Sequence, residues 1–254
     1  RQRVLYGMLI FSLLLIAFSV LASGLFMRDI DKITIDFCLT AVSLGGLLVP
    51  FFLAVNLLAR DLERRTVYSL LALAISRREY ILGKFGGLAL ITTTIVGILS
   101  CASIIAIAGS KLLYGGHFFA DFQWSAVLIA LAACLFGLLM FNAIVIFWSS
   151  VTTSSFLVTL LTLATYLVGQ TMEDLVRFMS IKVPGVEHSP VVQKSLQIAL
   201  YIFPNLAAFD LKLAAAHGLI VPFKELFFLT VYGASYTVAA LCLAILFFQK
   251  RDLV

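Results

Sequence analysis

The sequence predicts an all-α membrane protein: six transmembrane helices, a cytoplasmic helix along the membrane surface and short external interfacial helices. Three observations predict the membrane class. The 254 residues are 62% hydrophobic, with a mean hydropathy of +1.10. Only 12% are charged, against about 25% in soluble domains. The apolar residues gather in long runs, and a helix of roughly 20 such residues crosses a hydrocarbon core of about 30 Å. A soluble domain of this size could not bury that much apolar surface. A soluble enzyme, a disordered chain and a disulfide scaffold are therefore excluded.

The spans are expected, in order, over residues 4–26, 37–58, 82–108, 124–148, 154–170 and 225–248. The opening run is too long for a signal peptide and lacks a cleavage site, so it is read as a retained span. The chain starts at Arg1 rather than Met, and further sequence is expected before it. The second span carries Pro50, an expected kink. The fifth is short, with an apolar stretch from Phe156 to Gly169 that Ser154 and Gln170 extend. Together the spans make one transmembrane domain covering 1–254.

Two segments between spans are informative. Residues 60–80 have charged ends, ARDLERRT and ISRREY, around an apolar centre, YSLLALAI. That pattern suits a helix lying along the membrane surface. Residues 171–222 hold four of the five prolines and two amphipathic pieces. Helical spacing predicts short helices over Val191–Phe203 and Leu206–Ala216 at the outer interface.

Charge sets the orientation. The net charge is +5, with a pI of about 9.1. Ten of the Lys and Arg residues flank the N-terminus, segment 60–80 and the C-terminus, whereas the short opposite loops hold Arg28, Lys32 and Lys111. Cytoplasmic loops carry the excess of such residues, which places both termini inside. The basic balance thus follows from topology, and no nucleic-acid partner is expected.

The chemistry missing from the spans narrows the function. No acidic residue falls near the middle of an expected span, and the three histidines, His117, His188 and His217, fall in external segments without ligand spacing. Ion-driven transporters use such intramembrane groups. Cys38, Cys101, Cys134 and Cys242 form no C-x-x-C pair and read as apolar packing residues. No phosphate-binding G-x-x-x-x-G-K-[ST] loop is present. Catalytic, cofactor and metal residues are accordingly not expected on this chain, and energy would come from a partner. Gly45, Gly46, Gly86, Gly87, Gly97 and the Thr92–Thr94 run suit close helix packing, with Gly83 and Gly87 forming one G-x-x-x-G. Asn56 and Asn142 are the candidate pathway-lining residues.

The stretch DLERRTVYSLLALAISRREYILGKFGGL, Asp61 to Leu88, resembles the signature region of type-2 ABC transporter permeases. The matching residues are Glu63, Arg65, Thr66, Leu70, Leu71, Ser76, Arg77, Gly83 and Lys84; the family's usual Pro two residues before the Ser-Arg is Ala74 here. FFQKRDL near the C-terminus, FPNLAAFDL at 203–211 and KITIDF at 32–37 resemble the same family. The Arg-Thr form is similar to permeases of copper-enzyme maturation and gliding-motility systems. The resemblance implies the membrane subunit of a bacterial exporter in the cytoplasmic (inner) membrane. It is not an enzyme by itself. ATP and magnesium sit on a cytoplasmic ABC ATPase dimer, and a second copy of the permease, or a related one, completes the pore. An extracytoplasmic protein is a further expected partner. Coupling falls to segment 60–80, with Glu63, Arg64, Arg65, Thr66, Tyr68, Leu70, Leu71, Ser76 and Arg77 as the residues assigned to it. The alternatives are an ATP-independent secondary transporter or channel, and a membrane-embedded assembly factor.

Overall fold

The computed structural model describes residues 2–24, 30–63, 76–115, 119, 122–152, 154–180 and 203–250. Its helices are α1 (Gln2–Ser23), α2 (Ile30–Glu63), α3 (Arg77–Tyr114), α4 (Trp124–Val151), α5 (Ser155–Ser180), α6 (Lys212–Ala216) and α7 (Phe223–Gln249), with a 3-10 turn at Ala207–Phe209. No strand occurs among the described residues. Five of these helices contain stretches long and apolar enough to cross a membrane: Ile30–Leu53, Arg77–Tyr114, Trp124–Val151, Ser155–Leu175 and Phe223–Gln249. α1 carries a shorter apolar stretch, Ile10–Leu21. This is an all-α membrane protein.

Two helices are longer than the apolar runs suggest. α2 has 34 residues and α3 has 38, about 51 and 57 Å by the helical rise, so each overruns a 30 Å hydrocarbon core. α2 starts at Ile30 rather than 37 because its buried stripe begins there. Ile30, Thr34, Ile35, Cys38, Leu39 and Val42 are all buried at helical spacing. Asp31, Lys32 and Asp36 lower the hydropathy of this turn without interrupting the stripe. Asp31 also sits in the first turn, where the helix dipole favours an acid.

α4 is the central helix. Residues 140–146 are buried without a break, as expected of a helix that is apolar all round. It packs most extensively on α7, while α2 packs on α3, α1 and α4. Two apolar clusters follow one another along the bundle axis. One holds Tyr80, Leu88, Met140, Phe141, Ala244 and Phe248. The other holds Ile16, Cys38, Val42, Leu99, Ile107, Val127 and Leu138.

Small and hydroxyl residues bring α1, α2 and α3 together, as they do where helices have only packing to hold them in lipid. Ser19 Oγ lies 3.2 Å from Cys38 Sγ. Thr34 Oγ1 lies 3.4 Å from Ser110 Oγ. Tyr114 OH donates to Val20 O at 2.9 Å. A Cβ at Gly45 would sit 2.5 Å from Leu99 and Ser12 atoms, and one at Gly46 would sit 2.6 Å from Leu138. Gly83, Gly86, Gly87 and Gly97 have no such neighbour within 4 Å among the described residues. The G-x-x-x-G of α3 therefore makes no contact among the described residues.

These contacts fix relative sidedness. The end of α1 meets the end of α3, and the start of α2 meets the end of α3. The start of α3 meets the end of α7. The first residues of α1, the end of α2, the start of α3 and the end of α7 thus share one end of the bundle.

Candidate functional site

The first site is the corner where the chain re-enters the bundle at α3. Ser76 is the N-cap. Its hydroxyl accepts from Glu79 N at 3.2 Å, and Ser76 N donates to Glu79 Oε2 at 2.8 Å, a reciprocal capping box. The Ser76 backbone N–H, and then its hydroxyl, hold the exposed Glu79 carboxyl below its ordinary range. Arg77 turns the other way. Its Nη1 donates to Gln249 O at 2.8 Å and to Phe248 O at 3.3 Å. These are carbonyls of the last turn of α7, where a cation also opposes the helix dipole. Tyr80 stacks on the buried Phe248 ring at 5.6 Å, and Lys84 Nζ stands 5.5 Å from the Tyr80 ring centre. Arg77 and Tyr80 of one sequence stretch and Phe248 and Gln249 of another therefore meet in space.

Of the residues assigned to coupling, Ser76 and Arg77 build this corner. Glu63 is the last residue of α2. Arg64, Arg65, Thr66, Tyr68, Leu70 and Leu71 lie outside the described residues, as does most of the expected helix Val191–Phe203. Asn56 lies on α2. Asn142 is buried in α4, and its Nδ2 donates to Thr92 Oγ1 on α3 at 2.7 Å. Thr92 in turn donates to Leu88 O at 2.9 Å. Asn142 thus makes an interhelical hydrogen bond and is not among the residues that line the cavity beside residues 206–212.

The second site could not be read from the sequence. In place of one interfacial helix over Leu206–Ala216, the chain forms the 3-10 turn, a break at Asp210–Leu211 and the single-turn α6. The break comes from side chains that compete for the backbone. Asn205 Oδ1 accepts from Ala208 N at 3.1 Å, and Asp210 Oδ1 accepts from Lys212 N at 3.3 Å. Gly218, at φ 62°, closes α6 as a Schellman turn, with Leu219 N bonded to Ala214 O at 2.8 Å.

This segment enters the bundle. Phe209 is buried between Gly137 of α4 and Gly233 of α7, whose added Cβ atoms would lie 2.8 and 2.7 Å from its side chain. A Cβ at Gly169 of α5 would lie 2.8 Å from Pro204 O. Three glycines on three helices therefore form its seat. Gly137 lies about 20 Å along α4 from Trp124, and Gly233 about 15 Å along α7 from Phe223, by the helical rise. Phe209 consequently sits near mid-height of the bundle. Irregular backbone at that depth needs internal partners, and it has them. Leu206 N donates to Gly169 O at 3.1 Å, and Asn205 N to Tyr232 OH at 2.8 Å.

Beside this segment lies a half-open cavity of about 140 Å³, walled by α2, α4, α5 and residues 206–212. Leu39, Leu47, Leu131 and Phe141 give it apolar walls, whereas Tyr166, Gln170, Asp210 and Lys212 add polar groups. Asp210 and Lys212 pair at 3.0 Å. Each expected span lacks a central charge, yet the re-entrant segment carries a cation and an anion inward. Among the described residues no group of His, Cys, Asp and Glu could hold a metal ion.

Residues 14–253 match the family model described as ABC-2 family transporter protein. No curated protein matches the chain by sequence.

Proposed function

The chain belongs to the ABC-2 transporter family, and from that premise we propose that it couples ATP hydrolysis on a separate cytoplasmic ATPase to export, or to work on an extracytoplasmic partner. The family match over 14–253 is the observation that carries this reading. As a member it is a multi-pass membrane permease subunit, not itself the hydrolytic one. ATP and magnesium belong to the partner ATPase dimer. Two permease copies, or this chain with a related one, form the working pair in a bacterial inner membrane, with both termini cytoplasmic.

Residues 60–80 are the docking segment in this proposal. Two observations support the assignment. α2 and α3 overrun the hydrocarbon core, which suits delivery of the intervening chain to a soluble partner. The start of α3 also shares its end of the bundle with the α1 start and the α7 end, as one cytoplasmic face would require. Glu63 and Arg65 orient the segment through charged contacts, with Arg64, Thr66, Ser76 and Arg77 beside them. Tyr68, Leu70 and Leu71 fill an apolar pocket or brace the segment.

The test is to express Glu63→Arg and Arg65→Glu with the ATPase that copurifies with the wild-type chain. Loss of one partner of a desolvated charge pair costs about 2–5 kcal/mol. Complex yield, or the coupling of ATPase rate to transport, is expected to fall while the permease still folds. Wild-type assembly and transport in both variants would reduce the segment to a basic membrane anchor.

A further inference from the structure

Segment 60–80 joins two helices of unlike stiffness. α2 carries Pro50 inside it, and sharp bends in helices occur at proline. α3 has no proline, and its start is fastened to the end of α7. α7 has none either between Phe223 and Gln249. Its buried residues are Gly233, Ala240, Leu241, Ala244 and Phe248, one stripe at helical spacing. Each end of the stripe holds a different part of the chain. Phe248 is fully buried and stacks on Tyr80 at 5.6 Å. Gly233, about 22 Å nearer the start of α7 by the helical rise, seats Phe209. Beside it, Tyr232 OH accepts from Asn205 N at 2.8 Å. Tyr80, Phe248, Leu206 and Phe209 belong to one apolar cluster, whereas Ala215 and Ala216 of α6 belong to the other.

We propose that Arg77 and Tyr80 are positioning residues that make α3 and α7 move as one body, so that a displacement entering at the start of α3 reaches the re-entrant segment at Asn205–Phe209. Three contacts stiffen the link. Arg77 Nη1 donates to two carbonyls of the last turn of α7. Parting Tyr80 from Phe248 would open the core around two rings that are 7% and 0% exposed. At Gly233 a Cβ would lie 2.7 Å from the Phe209 ring, which leaves no slack to take up a shift. Interiors packed this closely transmit strain. That an ATPase supplies the displacement rests on the permease reading; the link between the corner and the re-entrant segment does not.

Coupling between two sites is shown by perturbing each and reading the other, because it is reciprocal. The chain alone is purified in nanodiscs and followed by amide hydrogen exchange. Arg77→Gln is expected to speed exchange at Asn205 and Phe209 at least about fivefold. Arg77→Lys, which keeps a charged donor, is expected to bring the rate back towards wild type. In the other direction, Tyr232→Phe removes the acceptor of the Asn205 N–H without emptying the core. It is expected to speed exchange at Lys250, whose amide donates to Leu246 O at 3.2 Å. Leu219, whose amide closes α6 on Ala214 O, is expected to keep its rate in all three variants. Unchanged exchange at Asn205 and Phe209 in Arg77→Gln, no recovery in Arg77→Lys, or unchanged exchange at Lys250 in Tyr232→Phe overturns the proposal. So does a rise at Leu219 equal to the rise at the far site, which is general loosening. No ATPase is present, so this result stands apart from the outcome of the docking test.

Discussion

Gly169→Ala and Gly97→Ala are the same substitution in two apolar helices, and the structure separates their effects. Both replace a helical glycine and gain up to about 1 kcal/mol of helix propensity. At Gly97 the new methyl meets nothing within 4 Å among the described residues, so that gain is the expected result. At Gly169 it would lie 2.8 Å from Pro204 O and 2.9 Å from Leu206 Cδ1. A backbone carbonyl cannot rotate away as a side-chain tip can. The re-entrant segment must shift, which strains the 3.1 Å bond from Leu206 N to Gly169 O. Overpacking of this kind costs about 1–3 kcal/mol. The two variants should therefore differ by about 1–3 kcal/mol, or about 5- to 160-fold in the unfolding equilibrium. Reversible unfolding in mixed detergent–SDS micelles, followed by circular dichroism, reads the difference. Gly86→Ala, with the same empty surroundings, is the second control. If Gly169→Ala is as stable as both controls, the seat for the re-entrant segment is not as described.

Further outcomes follow from the same contacts. Arg77→Gln should loosen the end of α7 by about 1 kcal/mol after discounting for exposure; faster amide exchange at Lys250, with Arg78→Gln unchanged, would show it, and equal exchange in both would refute the tie. Asn142→Leu should cost about 0.6–1.7 kcal/mol through the lost interhelical hydrogen bond and spare transport; a transport defect at full stability would make Asn142 a pathway residue. Ser76→Ala should destabilise the start of α3 by about 1 kcal/mol. The Glu79 carboxyl is held low by Ser76, so its cap contribution is complete above the ordinary Glu pKa and disappears as pH falls through the lowered one; NMR titration at an ordinary Glu value would deny the capping box. Thiol labelling should reach cysteines placed at 64 and 251 from the cytoplasm and those at 117 and 188 from outside, and cytoplasmic-only labelling at 188 would invert the topology.

Composition and run length sufficed for the membrane class, because a chain that is 62% hydrophobic has no other solvent. The family was also legible, since the stretch from Asp61 to Leu88 and the C-terminal FFQKRDL resemble its signatures without any coordinates. Helix ends were less so: the apolar run begins at Phe37, whereas the helix and its buried face extend back to Ile30. The tertiary structure alone decided which glycines matter. Gly97 and Gly169 read alike in sequence, and only the arrival of Pro204 O beside one of them tells them apart. It also decided the hydrogen-bond partners of Arg77 and Asn142, which lie on other helices, 172 and 50 residues away. The depth of Asp210 and Lys212 was likewise invisible, because hydropathy assigns depth by the run in which a residue stands. These two stand in a short segment between spans, and it is carried inwards by Phe209, seated between glycines of two other helices.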